Sequence, residues 1–171
     1  GELPLLQPST HLKFEDNYSD SSGNNVGGTA VGSVTFVGGK VGAKALHYTS
    51  NKDGSSFNYV TVDSAIGSLG NTDFSVSFWA KITQWEGDPA FISNKDWNSG
   101  GNQGFVVATA GDGHLQWNIA DSTRTRKDYD GPGGLFNDGN WHHVVVTFKR
   151  DGDGVTYVDG AAVNATSVAG L

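Results

Sequence analysis

The sequence predicts an all-β protein of two stacked antiparallel layers, and three observations carry that expectation. Residues 74–82 (FSVSFWAKI) alternate, with Phe74, Val76, Phe78, Ala80 and Ile82 on one face and Ser75, Ser77, Trp79 and Lys81 on the other. That is the period of a half-buried strand. Residues 141–148 (WHHVVVTF) run through an Asp/Gly turn into a second strand that closes on Tyr157-Val158-Asp159-Gly160, the pattern of a β-hairpin. Composition agrees: 25 Gly against 4 Pro, with 11% aromatic residues, suits short strands joined by tight turns. No segment of helical length keeps a 3.6-residue period, and no internal repeat stands out.

The elements follow in order. Residues 1–10, punctuated by Pro4 and Pro8, form a linker-like segment ahead of a domain spanning 11–171. A short strand over His11–Phe14 leads into a polar loop, Glu15–Asn25, dense in carboxylates and amides. Val26–Val37 and Val41–Tyr48 read as weak, glycine-broken strands, and Phe57–Val62 as a stronger one with Tyr59 and Thr61 opposite Asn58, Val60 and Val62. After 74–82, further strands are expected at Pro89–Ser93, Gly104–Thr109, His114–Ala120, Trp141–Phe148 and Val155–Val158, the spacing of a sandwich. Trp117 falls in register with Leu115 and Ile119 and is assigned to the core; Trp141 opens its strand and packs, while Trp79 faces away from the apolar side.

At 171 residues the chain is one domain's worth, able to bury roughly 70% of the surface it exposes when unfolded. A formal net charge of −7 argues against nucleic acid, which calls for a basic stripe. With no Cys there are no disulfides or thiolate metal sites, and the absence of Met suggests a segment cut from a longer precursor. No apolar run reaches the ~18 residues of a membrane span, so membrane insertion is not expected.

For ligand binding the richest stretch runs from Trp85 to Tyr129. Sugars are held by aromatic faces against their C–H surfaces and by planar amide, carboxylate or guanidinium groups on their hydroxyls. Trp85, Asn94, Lys95, Asp96 and Trp97 supply that mixture, Asn98, Asn102 and Gln103 extend it, and Arg124, Arg126 and Asp128 could join it. The competing role for the NKDW tract is to brace a loop against a sheet. His142 and His143 point to opposite faces of their strand and are read as packing residues, not as a catalytic pair. No Gly-x-Ser-x-Gly elbow is present.

The tracts FSVSFW, ISNKDWNSG, GFVV, LQWN, WHHVVVTF and YVDG, in that order, resemble the laminin-G-like branch of the concanavalin A-like lectin/glucanase superfamily. The resemblance implies a two-sheet jelly roll, usually an accessory module that binds glycans or protein partners and often belongs to a secreted bacterial multidomain protein. It implies an extracellular carbohydrate-binding module as the first expectation, a protein-interaction or adhesion module as the alternative, and a glycan-active enzyme third. The paired catalytic carboxylates of the glucanases are not matched: Glu occurs only at 2, 15 and 86, and Glu15-Asp16 are adjacent, facing opposite ways on a strand. Lyases of the superfamily find only a faint echo in Arg124, Arg126 and Tyr129. Relatives often hold a structural Ca²⁺ on the loop after the first strand, which assigns that role to Asp16 and Asp20. They also usually continue past the YVDG hairpin, so the C-terminal closing strand is expected to be missing and a partner chain or swapped segment to cover the edge beside His11–Phe14.

Overall fold

The structure, a computed structural model, describes residues 7–49, 51, 55–62, 69–84, 87–95 and 102–171. Among them every regular element is a β-strand and every pairing is antiparallel. The chain divides into two compact units, residues 1–68 and 69–171.

The first unit holds β1 (Gly28–Val31), β2 (Val34–Gly38), β3 (Lys44–Tyr48) and β4 (Tyr59–Val62), with β1 pairing β4 and β2 pairing β3. The faces of β4 are those its alternation predicts: Asn58 is buried, Val60 and Val62 half-buried, Tyr59 and Thr61 exposed. The expected strand at His11–Phe14 shrinks to one bridge between Leu12 and Asp20. Phe14 adopts a left-handed φ of 55°, which an extended strand cannot continue through. Its ring turns instead onto Tyr18, which packs 5.2 Å from Phe36.

The second unit is a sandwich of two four-stranded sheets. One is ordered β12 (Ala161–Ser167), β11 (Asp153–Val158), β10 (His142–Phe148) and β5 (Phe74–Ala80); the other is β6 (Ala90–Ser93), β7 (Gly104–Thr109), β8 (Leu115–Ala120) and β9 (Arg126–Asp130). Val144, Val146 and Phe148 from the first sheet meet Phe105, Val107, Leu115, Trp117 and Ile119 from the second in one buried core. Phe74 sits 4.8 Å from Phe148 and 5.0 Å from Phe105, bridging the layers. Strand β5 buries the face its sequence assigned, leaving Trp79 40% exposed on the other. The hairpin between β10 and β11 closes through Lys149 N–H to Asp153 O (3.1 Å) and Gly152 N–H to Lys149 O (2.9 Å).

Two strands were not foreseen. Residues 126–130 (RKDYD) form β9, with Lys127 and Tyr129 half-buried and Arg126, Asp128 and Asp130 exposed; a lysine in an inward position disguises the alternation. Residues 161–167 form β12 beyond the YVDG turn, from small residues of little hydrophobic contrast. The chain therefore adds one strand after the hairpin, paired with β11 and carrying a register shift at Thr156/Tyr157.

Gly154 packs under Trp117: a Cβ there would lie 2.7 Å from the indole Cη2, and the ring is fully buried. Gly154→Ala is expected to overpack this contact and cost about 1–3 kcal/mol, read as a lowered midpoint with unchanged slope in denaturant unfolding. An unshifted midpoint would show that the indole yields freely.

Candidate functional site

Of the residues expected to contact ligand, Asn94, Lys95, Arg124 and Arg126 are described, while Trp85, Asp96 and Trp97 lie outside the described residues. Asn94 braces its loop: its side-chain Oδ1 accepts the Phe105 N–H at 2.8 Å and its own N–H donates to Phe105 O at 3.1 Å. Lys95 follows β6 with its Cβ beside Gly104 of β7, and the charges of Arg126 and Asp128 on β9 act on its ammonium. That ammonium is buried without a hydrogen-bond partner. Burial lowers its pKa, Arg126 lowers it further, and Asp128 opposes both.

Arg126 Nε donates to Asp128 Oδ1 at 3.0 Å, both side chains lying exposed on β9. Arg124 stands in the preceding turn at φ 68°, its N–H donating to Asp121 O. Asp121 fixes that turn, its carboxylate accepting from Thr123 N–H, Thr123 Oγ and Thr125 N–H, and these bonds hold its pKa below the ordinary value despite opposing desolvation. The structure thus brings Lys95, Arg126 and Asp128 together, Asn94 supports the loop beneath them, and Arg124 stays on the adjoining turn.

The loop assigned to calcium has a different occupation. Asp20 accepts four hydrogen bonds, from His11 N–H (2.8 Å), Ser22 N–H (2.8 Å), Ser22 Oγ (2.6 Å) and Val26 N–H (3.0 Å). The Ser22 hydroxyl leads these in holding the carboxyl far below its usual range, against an opposing desolvation effect. Asp16 lies 3.9 Å from the Lys44 ammonium. A hard cation needs six to eight oxygens; in this structure the Asp20 carboxylate is taken up by the four donors that converge on it. Among the described residues no three His, Asp or Glu side chains gather as a metal cage. Glu15 is likewise engaged, accepting the N–H groups of Ala43 and Lys44 at 3.2 Å.

Both histidines of the WHH tract pack. His143 lies 4.9 Å from Trp79 and hydrogen-bonds Ser77 at 3.0 Å. His142 is clasped through both ring nitrogens, Nδ1 to Asp159 (2.7 Å) and Nε2 to Asp138 (2.8 Å). Since carboxylates only accept, this clasp favours the imidazolium, with a proton on each nitrogen. Burial pulls its pKa down, but the two carboxylates override that and raise it; His114, clasped by Asp112 and facing Asp130 at 3.7 Å, is raised in the same way. These ion pairs were not legible, because Asp159 and Asp138 reach His142 from separate turns.

Two antiparallel sheets around a single apolar core, with polar and charged side chains collected beside a loop, define a lectin-type β-sandwich. A laminin G-type family model, described as the concanavalin A-like lectin/glucanases superfamily, matches residues 53–171, more than half of the chain. The chain belongs to that superfamily. Among solved structures it is similar to the binding domain of Paraclostridial Mosquitocidal Protein 1 (21% identity, TM-score 0.67, covering 90% of this chain and 38% of that one). It is also similar to the binding domain of Botulinum Neurotoxin DC, in complex with SialylT (20%, TM-score 0.69, 90% and 37%) and in complex with rat synaptotagmin II (20%, TM-score 0.70, 93% and 38%). The chain therefore spans under two-fifths of those structures, and at such identities the likeness concerns the fold. Comparison with curated protein sequences finds no match.

Two outcomes follow. Adding calcium or chelator should leave the melting temperature of the protein unchanged, whereas Asp20→Asn should lower it; a chelator-dependent shift would restore the metal to this loop. For His142 and His114 the raised folded pKa means that their stabilisation is complete below the unfolded value of about 6.5 and fades as pH rises through the folded values. The contribution of these histidines to the melting temperature should accordingly fall as pH rises above about 6.5, and the His142→Gln/His114→Gln variant should flatten that slope.

Proposed function

We propose that this domain is a non-catalytic carbohydrate-binding module of a secreted bacterial multidomain protein. The observation that carries the reading is the gathering of Lys95, Arg126 and Asp128 beside the Asn94 loop, because such groups bond sugar hydroxyls with defined geometry. Trp85 and Trp97, the stacking residues of the same tract, would supply the apolar face of the sugar site. The family supports recognition over chemistry, and one similar structure is a binding domain in complex with SialylT. Non-catalytic action is further supported by Glu15 and Asp20 serving as backbone acceptors, not as an acid–base couple.

A second reading, protein docking, draws on a different face. On the outward side of β5, β10 and β11, Trp79 (40% exposed) and Tyr157 (36% exposed) flank Ser77, His143 and Val145. This is a flat, nearly uncharged patch of the kind a protein partner covers, and another similar structure is in complex with rat synaptotagmin II.

Affinity electrophoresis over a panel of polysaccharides separates the two. Arg126→Ala removes bonds to a charged group worth about 1.5–3 kcal/mol, so retention should weaken roughly 10- to 100-fold. Trp97→Ala should weaken it as well, and Trp79→Ala should leave it intact. No glycan retained by the wild-type protein would overturn the carbohydrate reading in favour of docking.

A further inference from the structure

At the end of β8 and β9 opposite Arg126, the second unit opens into an apolar cavity of about 270 Å³. Its walls are Leu115, Tyr129, Val158 and Val163, with residues 131–135 (GPGGL) closing one side. Leu115 is 2% exposed and Val163 is 47% exposed, so the cavity runs from the core out to the surface. The place of Val163 follows from the irregularity in β12. Ala162 pairs with Tyr157 and Asn164 with Thr156, which leaves Val163 as the extra residue of a bulge. A bulge re-aims the side chain it carries.

The glycine-rich wall is fixed before any ligand arrives. Gly131 N–H donates to Leu115 O at 2.9 Å, Gly134 N–H to Asp112 O at 2.7 Å and Phe136 N–H to Gly113 O at 2.9 Å, with the Phe136 ring fully buried. Only glycine fits at 131, since a Cβ there would lie 2.9 Å from the Tyr129 hydroxyl and 3.0 Å from Leu115 O. A preformed cavity binds without the entropy loss of ordering its walls. Pockets for whole small molecules run from roughly 300 Å³ upward, so this one suits a single bulky side chain projecting from a larger partner.

The rim is acidic. Asp130 stands between Tyr129 and Gly131, Asp159 follows Val158, and Asp112 Oδ2 would be 3.1 Å from a Cβ on Gly133. Among the described residues their ion-pair partners are histidines: His114 serves Asp112 and Asp130, and His142 serves Asp159 together with Asp138. The segments that build the site, 110–123, 128–148 and 151–171, contain no Lys or Arg. Lys127 lies two residues before Tyr129 on β9 but does not line the cavity. A second copy of this chain, with its net charge of −7, would meet repulsion here, whereas a basic partner is attracted.

We infer that this cavity is a peptide-docking site, taking one large apolar side chain, Leu, Phe or Trp, from an extended segment of a partner protein whose flanking residues are Lys or Arg. Apolar burial supplies the anchor, and the acidic rim selects the flanks. Strand β12 is exposed along most of its length and is the outermost described strand of its sheet, so its main chain offers such a segment a course beside the cavity. The cavity shares no residue with the sugar site, and the inference does not depend on the carbohydrate reading.

A displayed library of random decapeptides, panned on the wild-type protein with bare support as the counter-target, tests the site. Enriched peptides are synthesised and titrated by fluorescence anisotropy at 50 and 300 mM salt. They should carry one Leu, Phe or Trp flanked by Lys or Arg, and changing that apolar residue to Ala should weaken binding roughly tenfold or more, the loss typical of an anchor in a pocket. Binding should also weaken at the higher salt and on Asp130→Asn. Val163→Lys, which obstructs the mouth and repels the basic flanks, should reduce it roughly tenfold or more. The Ala-substituted peptide and Asp130→Asn keep anchor and location testable even where Val163→Lys fails to fold. No enrichment over bare support, enriched peptides without basic residues, binding indifferent to the Ala change, or binding unmoved by Asp130→Asn and by a folded Val163→Lys would overturn the docking site.

Discussion

The second unit depends on one buried indole. Trp117 lies fully enclosed on β8, donates its Nε1–H across the sandwich to Thr156 Oγ1 on β11 at 2.9 Å, and meets Phe148 edge-on at 5.1 Å. An apolar interior fixes spacing but not registry, since hydrophobic attraction has no direction. The indole bond supplies direction. It also reaches further, because Thr156 sits where the pairing of β11 with β12 slips, and its N–H is taken by Asn164 Oδ1 at 3.1 Å. One polar contact inside the core thereby connects the inner strand of one sheet to the outermost described strand of the other.

That connection sets the candidate site in place. Strands β7 and β8 are buried along nearly their whole length, so β9 inherits a rigid neighbour, and its exposed charges project from a fixed row. The candidate site then pairs Lys95, just after β6, with Arg126 and Asp128 on that row. Electrostatics elsewhere in the chain are settled locally: Asp20, Asp121 and Glu15 spend their carboxylates on neighbouring donors, and His142 is held by Asp138 and Asp159. Lys95 differs in that its ammonium is buried without a hydrogen-bond partner.

The legible part of this protein was whatever hydrophobic contrast could write. Phe74–Ala80 and His142–Phe148 declare themselves because apolar residues recur at every second position, and the faces read from them are the faces buried. The strand at 126–130 was hidden by Lys127 in an inward position, and 161–167 by alanines that look alike on either face. At the candidate site, Asn94, Lys95 and Arg126 were expected from chemical type alone; which of them share a neighbourhood depends on a three-strand register no local pattern encodes. The backbone-capping role of Asp20 was hidden for a related reason, since an acidic side chain in a polar loop looks the same whether it awaits a cation or caps backbone donors.

Strand β12 carries a consequence for the behaviour of the protein in bulk. Its seven residues include no Lys, Arg, Asp, Glu or Pro, and it is the outermost described strand of its sheet. Natural sheets blunt such rims with charge or a bend; here the register slip against β11 is the one such feature. Colloidal protection must therefore come from the surplus of carboxylates spread over the rest of the surface. Near the isoelectric point of 5.0 that long-range repulsion vanishes, and this uncharged outer strand is where strand-to-strand association in mildly acidic surroundings is least opposed.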